Sequence, residues 1–138
     1  MKVKLILPMI WTLTGALLVK LAASWNRLPD RVAVHFNARI EPNGWSSKQS
    51  LAAIILLAVL GEAILGTIVL LGVPTGDQFG GMIVLGVNVV LVSVFWQTIN
   101  YNARGSEFQP LGMFLPWIAL LAGLAVLVVV QRWSYPRH

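Results

Sequence analysis

The sequence predicts an all-α membrane protein with four transmembrane helices and a structured loop between the first two. Three observations support this prediction. Of the 138 residues, 57% are hydrophobic and 11% are charged, and the mean hydropathy is +0.77. A soluble domain carries roughly 25% charged residues, so this chain has too few to cover a water-facing surface. Four apolar stretches are each long enough to cross a hydrocarbon core of about 30 Å as a helix.

The apolar stretches predict spans at about residues 5–23, 51–73, 80–99 and 111–130, and the whole chain, 1–138, is then a single four-span domain. Thirteen of the fifteen charged residues lie outside these spans, as expected if hydrocarbon excludes charge. The two inside are Lys20 and Glu62. The first stretch follows Lys2 and Lys4, as in a signal peptide, but it exceeds the usual apolar core of one. We therefore expect it to remain as an uncleaved span.

Four spans would place both termini on the same side of the membrane. Four basic residues fall on that side and five on the other, so the positive-inside rule does not orient the chain. The residues are Lys2, Lys4, Arg132 and Arg137 against Arg27, Arg31, Arg39, Lys48 and Arg104.

The loop at residues 24–50 has a pattern of its own. Residues 31–36 alternate apolar and polar side chains, which indicates a short strand or hairpin on the membrane surface, with Val32, Val34 and Phe36 on one face. Pro29-Asp30 favours a rigid turn into this strand, and residues 41–44 end in Asn-Gly, which favours a second turn there because these residues tolerate positive φ.

The second helix has a start signal in the sequence. Ser46 and Gln49 stand at the spacing of a capping box, in which the side chains of the two residues satisfy free backbone N–H groups. The helix is therefore expected to begin near Ser47.

Several residues of this loop stand at the spacing of a known family. Leu28-Pro29-Asp30, His35-Phe36-Asn37, Asn43-Gly44-Trp45 and Lys48 carry the pattern. In it the chain resembles the bacterial membrane domain of unknown function sixteen-forty-eight, the N-terminal domain of SdpI-type immunity proteins, over about residues 20–55. The resemblance implies a multi-pass protein of the bacterial inner membrane and, loosely, an immunity or signal-relay role. Four positions depart from the family's pattern: Ala33, Ile40, Asn43 and Ser46.

Aromatic residues crowd the side of the membrane that carries this loop, as in an interfacial belt. They are Trp25, Trp45, Trp96, Tyr101 and Trp117. The sequence therefore predicts a partner-binding loop made by Asp30, His35, Asn37, Trp45 and Lys48. Asp30 and Asn37 would shape its turns, Trp45 would anchor at the headgroups, and Lys48 would meet a phosphate or an acidic partner.

Three polar residues lie at equal depth in the predicted spans. Thr12, Glu62 and Asn88 are each eleven positions from the loop end of their span, which places them roughly 17 Å deep, near the midplane. They predict an intramembrane polar layer. Such a layer is either hydrogen-bonded structural glue or a proton or transport site, and the sequence leaves both interpretations open.

The sequence contains no recognisable catalytic, metal or cofactor motif. Cysteine is absent, His35 and His138 are the two histidines, and the basic residues form no stripe typical of nucleic-acid binding. The sequence favours a non-catalytic accessory, immunity-type or signal-relay protein that binds another membrane protein or a membrane-active peptide through the loop. One alternative is a small homo-oligomeric transporter or proton-coupled channel that uses Glu62 and Asn88. Another is a purely structural subunit of a larger membrane complex.

Overall fold

The structure is a computed structural model that describes residues 3–37, 39, 41–72 and 78–104. Three long helices and a small hairpin make up this part of the chain. In chain order they are α1 (Val3–Ser24), a 3₁₀ turn (Trp25–Arg27), β1 (Arg31–Phe36), β2 (Pro42–Ser47), α2 (Lys48–Gly72) and α3 (Gln78–Arg104). The hairpin lies between α1 and α2, where the sequence predicts a strand or hairpin.

All three helices are long and apolar enough to cross a membrane. Their spanning segments are Leu5–Arg27, Lys48–Gly72 and Gly80–Arg104, with mean hydropathies of 1.8, 2.7 and 2.0. Large apolar side chains such as Val19, Ile68 and Leu71 are exposed on the helix surfaces, as lipid-facing residues are. The chain is thus a membrane protein with three spans in its described part. The predicted fourth span, 111–130, lies outside the described residues.

Helix α3 is longer than predicted. The apolar stretch ends at Ile99, but the helix continues to Arg104. The extra residues are mostly polar, and a helix satisfies its own backbone hydrogen bonds whether or not its side chains are apolar. The apolar stretch therefore marked where the apolar side chains end and not where the helix ends. The extension lets the last turns of α3 reach the hairpin.

The two strands pair in antiparallel fashion with two irregularities in register. Ala33 opposes Trp45, His35 opposes Gly44, and Phe36 opposes Pro42, so Val34 and Asn43 are the extra residues. The predicted common face of Val32, Val34 and Phe36 is wrong for Val34. Val32 and Ala33 are buried whereas Val34 is exposed. A bulge shifts the side-chain alternation by one residue, and alternation read from the sequence cannot show it.

The turn predicted at residues 41–44 is also wrong, because Pro42, Asn43 and Gly44 lie in β2. Gly44 serves a close contact between the strands. A Cβ atom on Gly44 would lie 2.7 Å from the Cβ atom of His35, so any side chain there would push the strands apart. The connection runs instead from Asn37 to Glu41, where the N–H of Asn37 donates to the carbonyl oxygen of Glu41 over 3.0 Å.

Helix α2 begins one residue after the predicted start. Ser47, and not Ser46, caps it, because the Ser47 Oγ accepts a hydrogen bond of 3.1 Å from the N–H of Ser50.

The core consists of two apolar clusters, one toward each end of the helices. The larger lies beneath the hairpin and includes Leu17, Val32, Ile55 and Ile99. The smaller lies at the other end: Ile6, Ile10, Ala63 and Leu70. Between the two clusters each helix carries a polar residue, buried at Thr14 and Asn88 and partly buried at Glu62, and these residues form a candidate site.

Candidate functional site

The hairpin is bound to helix α3 by an amide that joins backbone groups across the fold. The Oδ1 of Asn102 accepts a hydrogen bond of 2.7 Å from the N–H of Ala33. Its Nδ2 donates over 2.9 Å to the carbonyl oxygen of Ala33 and over 2.8 Å to that of Thr98. The side chain thus satisfies both backbone groups of a buried strand residue, as a neighbouring strand would. Strand β1 is therefore fixed to the end of α3.

An aromatic contact supports the same junction. The rings of Phe36 and Tyr101 meet edge to face, with centroids 4.8 Å apart. Such pairs contribute about 0.5–1.5 kcal/mol beyond the burial of their area. The far end of β1 is thereby held against α3 as well.

An ion pair closes the other end of the hairpin. The Nζ of Lys48 lies 2.9 Å from Oδ1 of Asp30, and the Lys48 N–H donates over 3.1 Å to the Asp30 carbonyl oxygen. The same ammonium group lies 5.6 Å from the ring centroid of Trp25. Lys48 was predicted to meet a phosphate or an acidic partner, and in the structure the acid that it meets belongs to its own chain. Asp30 and Lys48 therefore join the beginning of β1 to the beginning of α2.

Asn37 organises the connection between the strands. Its Oδ1 accepts hydrogen bonds from the backbone N–H groups of Arg39 and Glu41, over 2.9 and 3.0 Å. Its Nδ2 donates over 2.9 Å to Oε2 of Glu41. One asparagine side chain thus replaces the backbone bonds that a tighter turn would make.

Four residues of the hairpin make up the surface that we call the hairpin face: Val34, His35, Asn43 and Trp45. All four are exposed, Trp45 to 49%. The ring Nδ1 of His35 donates a short hydrogen bond to Oδ1 of Asn43, which orients the imidazole across the strands. Of the five residues predicted for partner binding, His35 and Trp45 lie on this face. The other three hold the hairpin in place.

A second candidate site lies inside the span region, between the two apolar clusters. The Nδ2 of Asn88 donates over 2.6 Å to Oε2 of Glu62 and over 3.2 Å to Oγ1 of Thr14. Asn88 and Thr14 are buried, and Glu62 is partly buried. The structure therefore joins α1, α2 and α3 through one amide.

Thr12, predicted as the third member of this layer, is exposed, and Thr14 takes its place. The buried face of α1 follows Ile6, Ile10, Leu17 and Leu21. Thr14 is on that stripe, whereas Thr12 lies about 200° around the helix from it, at about 100° per residue. Equal depth was the basis of the prediction, but depth does not specify the face. The apolar stripe of α1 was the signal that could have identified Thr14.

Glu62 also borders a groove between α2 and α3. The groove has a volume of about 460 Å³ and is lined mostly by apolar residues of both helices. Glu62 turns Oε2 toward Asn88, while its Oε1 is 3.5 Å from the position that a Cβ atom on Gly66 would take. Gly66 lines the same groove, so one carboxylate oxygen faces the groove and the other is hydrogen-bonded.

Besides Thr14, sequence reasoning missed Asn102, which holds the hairpin against α3. It lies 69 positions from Ala33, and nothing in the spacing of either residue signals the pair. Among residues 3–37, 39, 41–72 and 78–104, no three His, Cys, Asp or Glu side chains come together as they would around a metal ion.

The comparisons with known proteins concern the hairpin and its flanking helices. No curated protein and no solved structure matches the chain. One family model does match. The match begins within α1, covers both strands and ends in α2, before Glu62 and Asn88. Residues 11–60 match the family described as Domain of unknown function (DUF1648), which confirms the resemblance seen in the loop motif.

Proposed function

We propose that this protein is a non-catalytic component of the bacterial inner membrane that binds another membrane protein or a membrane-active peptide through its hairpin face. The role would be that of an accessory, immunity-type or signal-relay protein. It requires no cofactor and no nucleic acid.

The observation that carries the proposal is a hairpin held rigidly at three points while its outer residues remain exposed. Asn102, the Asp30–Lys48 pair and Asn37 hold the backbone, yet Trp45 is 49% exposed. Fixing a short hairpin costs backbone entropy of about 1–2 kcal/mol per residue, so a mere connection between helices would not need it. A preorganised aromatic and polar surface, by contrast, lowers the entropy cost of binding. Tryptophan is also enriched at the centres of interfaces.

The test is co-purification from native membranes in mild detergent with the double variant His35→Ala/Trp45→Ala. We expect the wild-type chain to retain a stoichiometric partner and the double variant to lose it while keeping its thermal unfolding midpoint. Val19→Ala, on the lipid-facing side of α1, is the matched control and should retain the partner. A partner that stays with the double variant but leaves when lipid-facing helix residues change would indicate a structural subunit of a larger complex instead.

A second candidate function is a small homo-oligomeric transporter or proton-coupled channel. The observation that favours it is the bond between Glu62 and Asn88, at 2.6 Å, beside a groove that the carboxylate also faces. An ionisable residue inside a span is costly and commonly belongs to a transport pathway. Flux into liposomes should then depend on pH and disappear in Glu62→Gln. Equal flux in wild type and Glu62→Gln would exclude this function.

A further inference from the structure

The groove between α2 and α3 combines apolar walls with one acidic group. Leu57, Leu65, Ile83 and Val87 line it, and Glu62 is the one ionisable residue among the described residues that do so. Its volume of about 460 Å³ lies within the range of about 300–1,000 Å³ that is typical of small-molecule sites.

The carboxylate of Glu62 is held in place on one side and open on the other. Asn88, which fixes Oε2 over 2.6 Å, is itself fully buried and also bonds Thr14. In the described part of the chain, Glu62 makes its side-chain hydrogen bond to Asn88 through Oε2. Its Oε1 lies near Gly66, which lines the groove. The position of the charge is therefore set before any ligand arrives.

The chemistry of the groove selects among possible ligands. A carboxylate inside a span carries a cost of at least about 2.5 kcal/mol, and one amide donor offsets only part of it. A small hydrated cation would have to exchange its water shell for few oxygen ligands among apolar walls. A large organic cation is weakly hydrated and brings apolar surface that matches Leu57, Leu65 and Ile83. Charge and shape together favour the organic cation.

We propose that this groove binds a lipophilic organic cation from the bilayer, with Glu62 as its counter-ion and Asn88 as the residue that positions the carboxylate. The site is separate from the hairpin face. The groove site and the second candidate function both use Glu62. In that one respect the proposal rests on the second candidate function.

In the experiment, the purified full chain in detergent is titrated with tetraphenylphosphonium, and calorimetry measures the binding. Tetraphenylborate has nearly the same size and shape and the opposite charge, so it controls for apolar partitioning. We expect saturable binding of the cation and at least about tenfold weaker binding of the anion, which corresponds to about 1.4 kcal/mol. Equal binding of both ions, or no saturable binding of the cation, would overturn the proposal.

Charge variants test the role of Glu62 directly. Glu62→Gln should weaken cation binding at least about tenfold, because it keeps the side-chain shape and removes the counter-charge. Glu62→Asp should retain binding, and Glu41→Gln, which removes an exposed charge in the hairpin, should leave it unchanged. Unchanged binding in Glu62→Gln would overturn the proposal.

A steric variant keeps the proposal falsifiable if Glu62→Gln does not fold. Gly61 lines the groove, and a Cβ atom added to it would have no neighbouring atom within 4 Å. The same is true of Gly15 on α1, which lies away from the groove. Gly61→Phe should therefore block cation binding, whereas Gly15→Phe should not. The proposal would be overturned if the wild-type chain were dimeric, Gly61→Phe were monomeric and neither bound the cation. The groove would then be the contact surface for a second copy of the chain.

These experiments can refute the groove site and the transport function independently of each other. Cation binding that needs Glu62, without any flux in liposomes, would refute the transport function and support the groove site. Flux that needs Glu62 without cation binding would do the reverse.

Discussion

Asn102 bonds both backbone groups of Ala33, with the N–H of Ala33 2.7 Å from Oδ1 and its carbonyl oxygen 2.9 Å from Nδ2. A side-chain amide at the end of a membrane helix thus takes the place of a third strand beside β1. This relationship explains how a two-stranded hairpin, which is marginally stable alone, can be rigid in this protein. It also connects the membrane-spanning part of the chain to the surface that we propose for binding.

The first prediction concerns this amide. Asn102→Ala should lower the free energy of unfolding by about 1–3 kcal/mol, because it leaves buried backbone groups of Ala33 without partners. Hydrogen exchange at Ala33 and along β1 should accelerate in the same variant. Asn26→Ala, at an exposed asparagine of the 3₁₀ turn, is the control and should change neither quantity. Equal hydrogen exchange in wild type and Asn102→Ala would contradict the conclusion that Asn102 fixes β1 to the end of α3.

The second prediction ranks the ion pair below the amide. Asp30 is 92% exposed although Lys48 is largely covered, so water screens their attraction. Asp30→Asn should therefore cost no more than about 1 kcal/mol in free energy of unfolding, as is usual for exposed pairs. Chemical denaturation in mixed micelles measures both variants under the same conditions. A larger loss in Asp30→Asn than in Asn102→Ala would reverse the ranking.

The third prediction compares two glycines. Gly44→Ala should destabilise the hairpin, since its Cβ atom would lie 2.7 Å from that of His35. Gly15→Ala meets nothing within 4 Å and removes a glycine from a helix interior, so it should be neutral or stabilise by up to about 1 kcal/mol. Thermal unfolding in detergent would distinguish the two. Similar midpoints for both variants would show that the strands do not approach as closely as described.

The fourth prediction tests which threonine belongs to the polar layer. Thr14→Val keeps the branched shape and removes the oxygen that accepts from Asn88, so it should cost about 0.6 kcal/mol and at most about 1.7 kcal/mol. Thr12→Val should be silent, because Thr12 is exposed. Thermal unfolding of both variants in the same detergent measures the difference. A cost at Thr12 and none at Thr14 would restore the assignment that equal depth suggested.

The membrane-spanning helices could be predicted from hydropathy because the bilayer imposes a length on every span. Residues 51–73 and 80–99 coincide with α2 and with most of α3. The loop motif likewise predicted the match to the family model over residues 11–60, since its residues stand at fixed spacing. The predicted pairing of equal depths placed Glu62 beside Asn88 but selected Thr12 instead of Thr14. The apolar stripe of α1 could have corrected that choice. The features of the hairpin that failed depend instead on contacts between distant segments, which no local pattern encodes.

The hairpin illustrates why these failures are physical. Asn-Gly at positions 43 and 44 is typical of a two-residue turn, but here Gly44 is needed for the close approach to His35. The turn formed instead where the Asn37 side chain could bond Arg39 and Glu41. A bulge at Val34 then exchanged the faces of β1. Tertiary packing decided between local preferences that the sequence alone could not rank.

Site-specific photo-crosslinking from position 45 in native membranes tests the central claim most directly. A photoreactive phenylalanine derivative in place of Trp45, which keeps an aromatic ring at that position, should form one discrete adduct with a partner protein or peptide, and that adduct should disappear when His35→Ala is added. The same residue at position 19, on the lipid-facing side of α1, should form no such adduct. Adducts of equal yield from positions 45 and 19, or none from position 45, would contradict a binding role for the hairpin face.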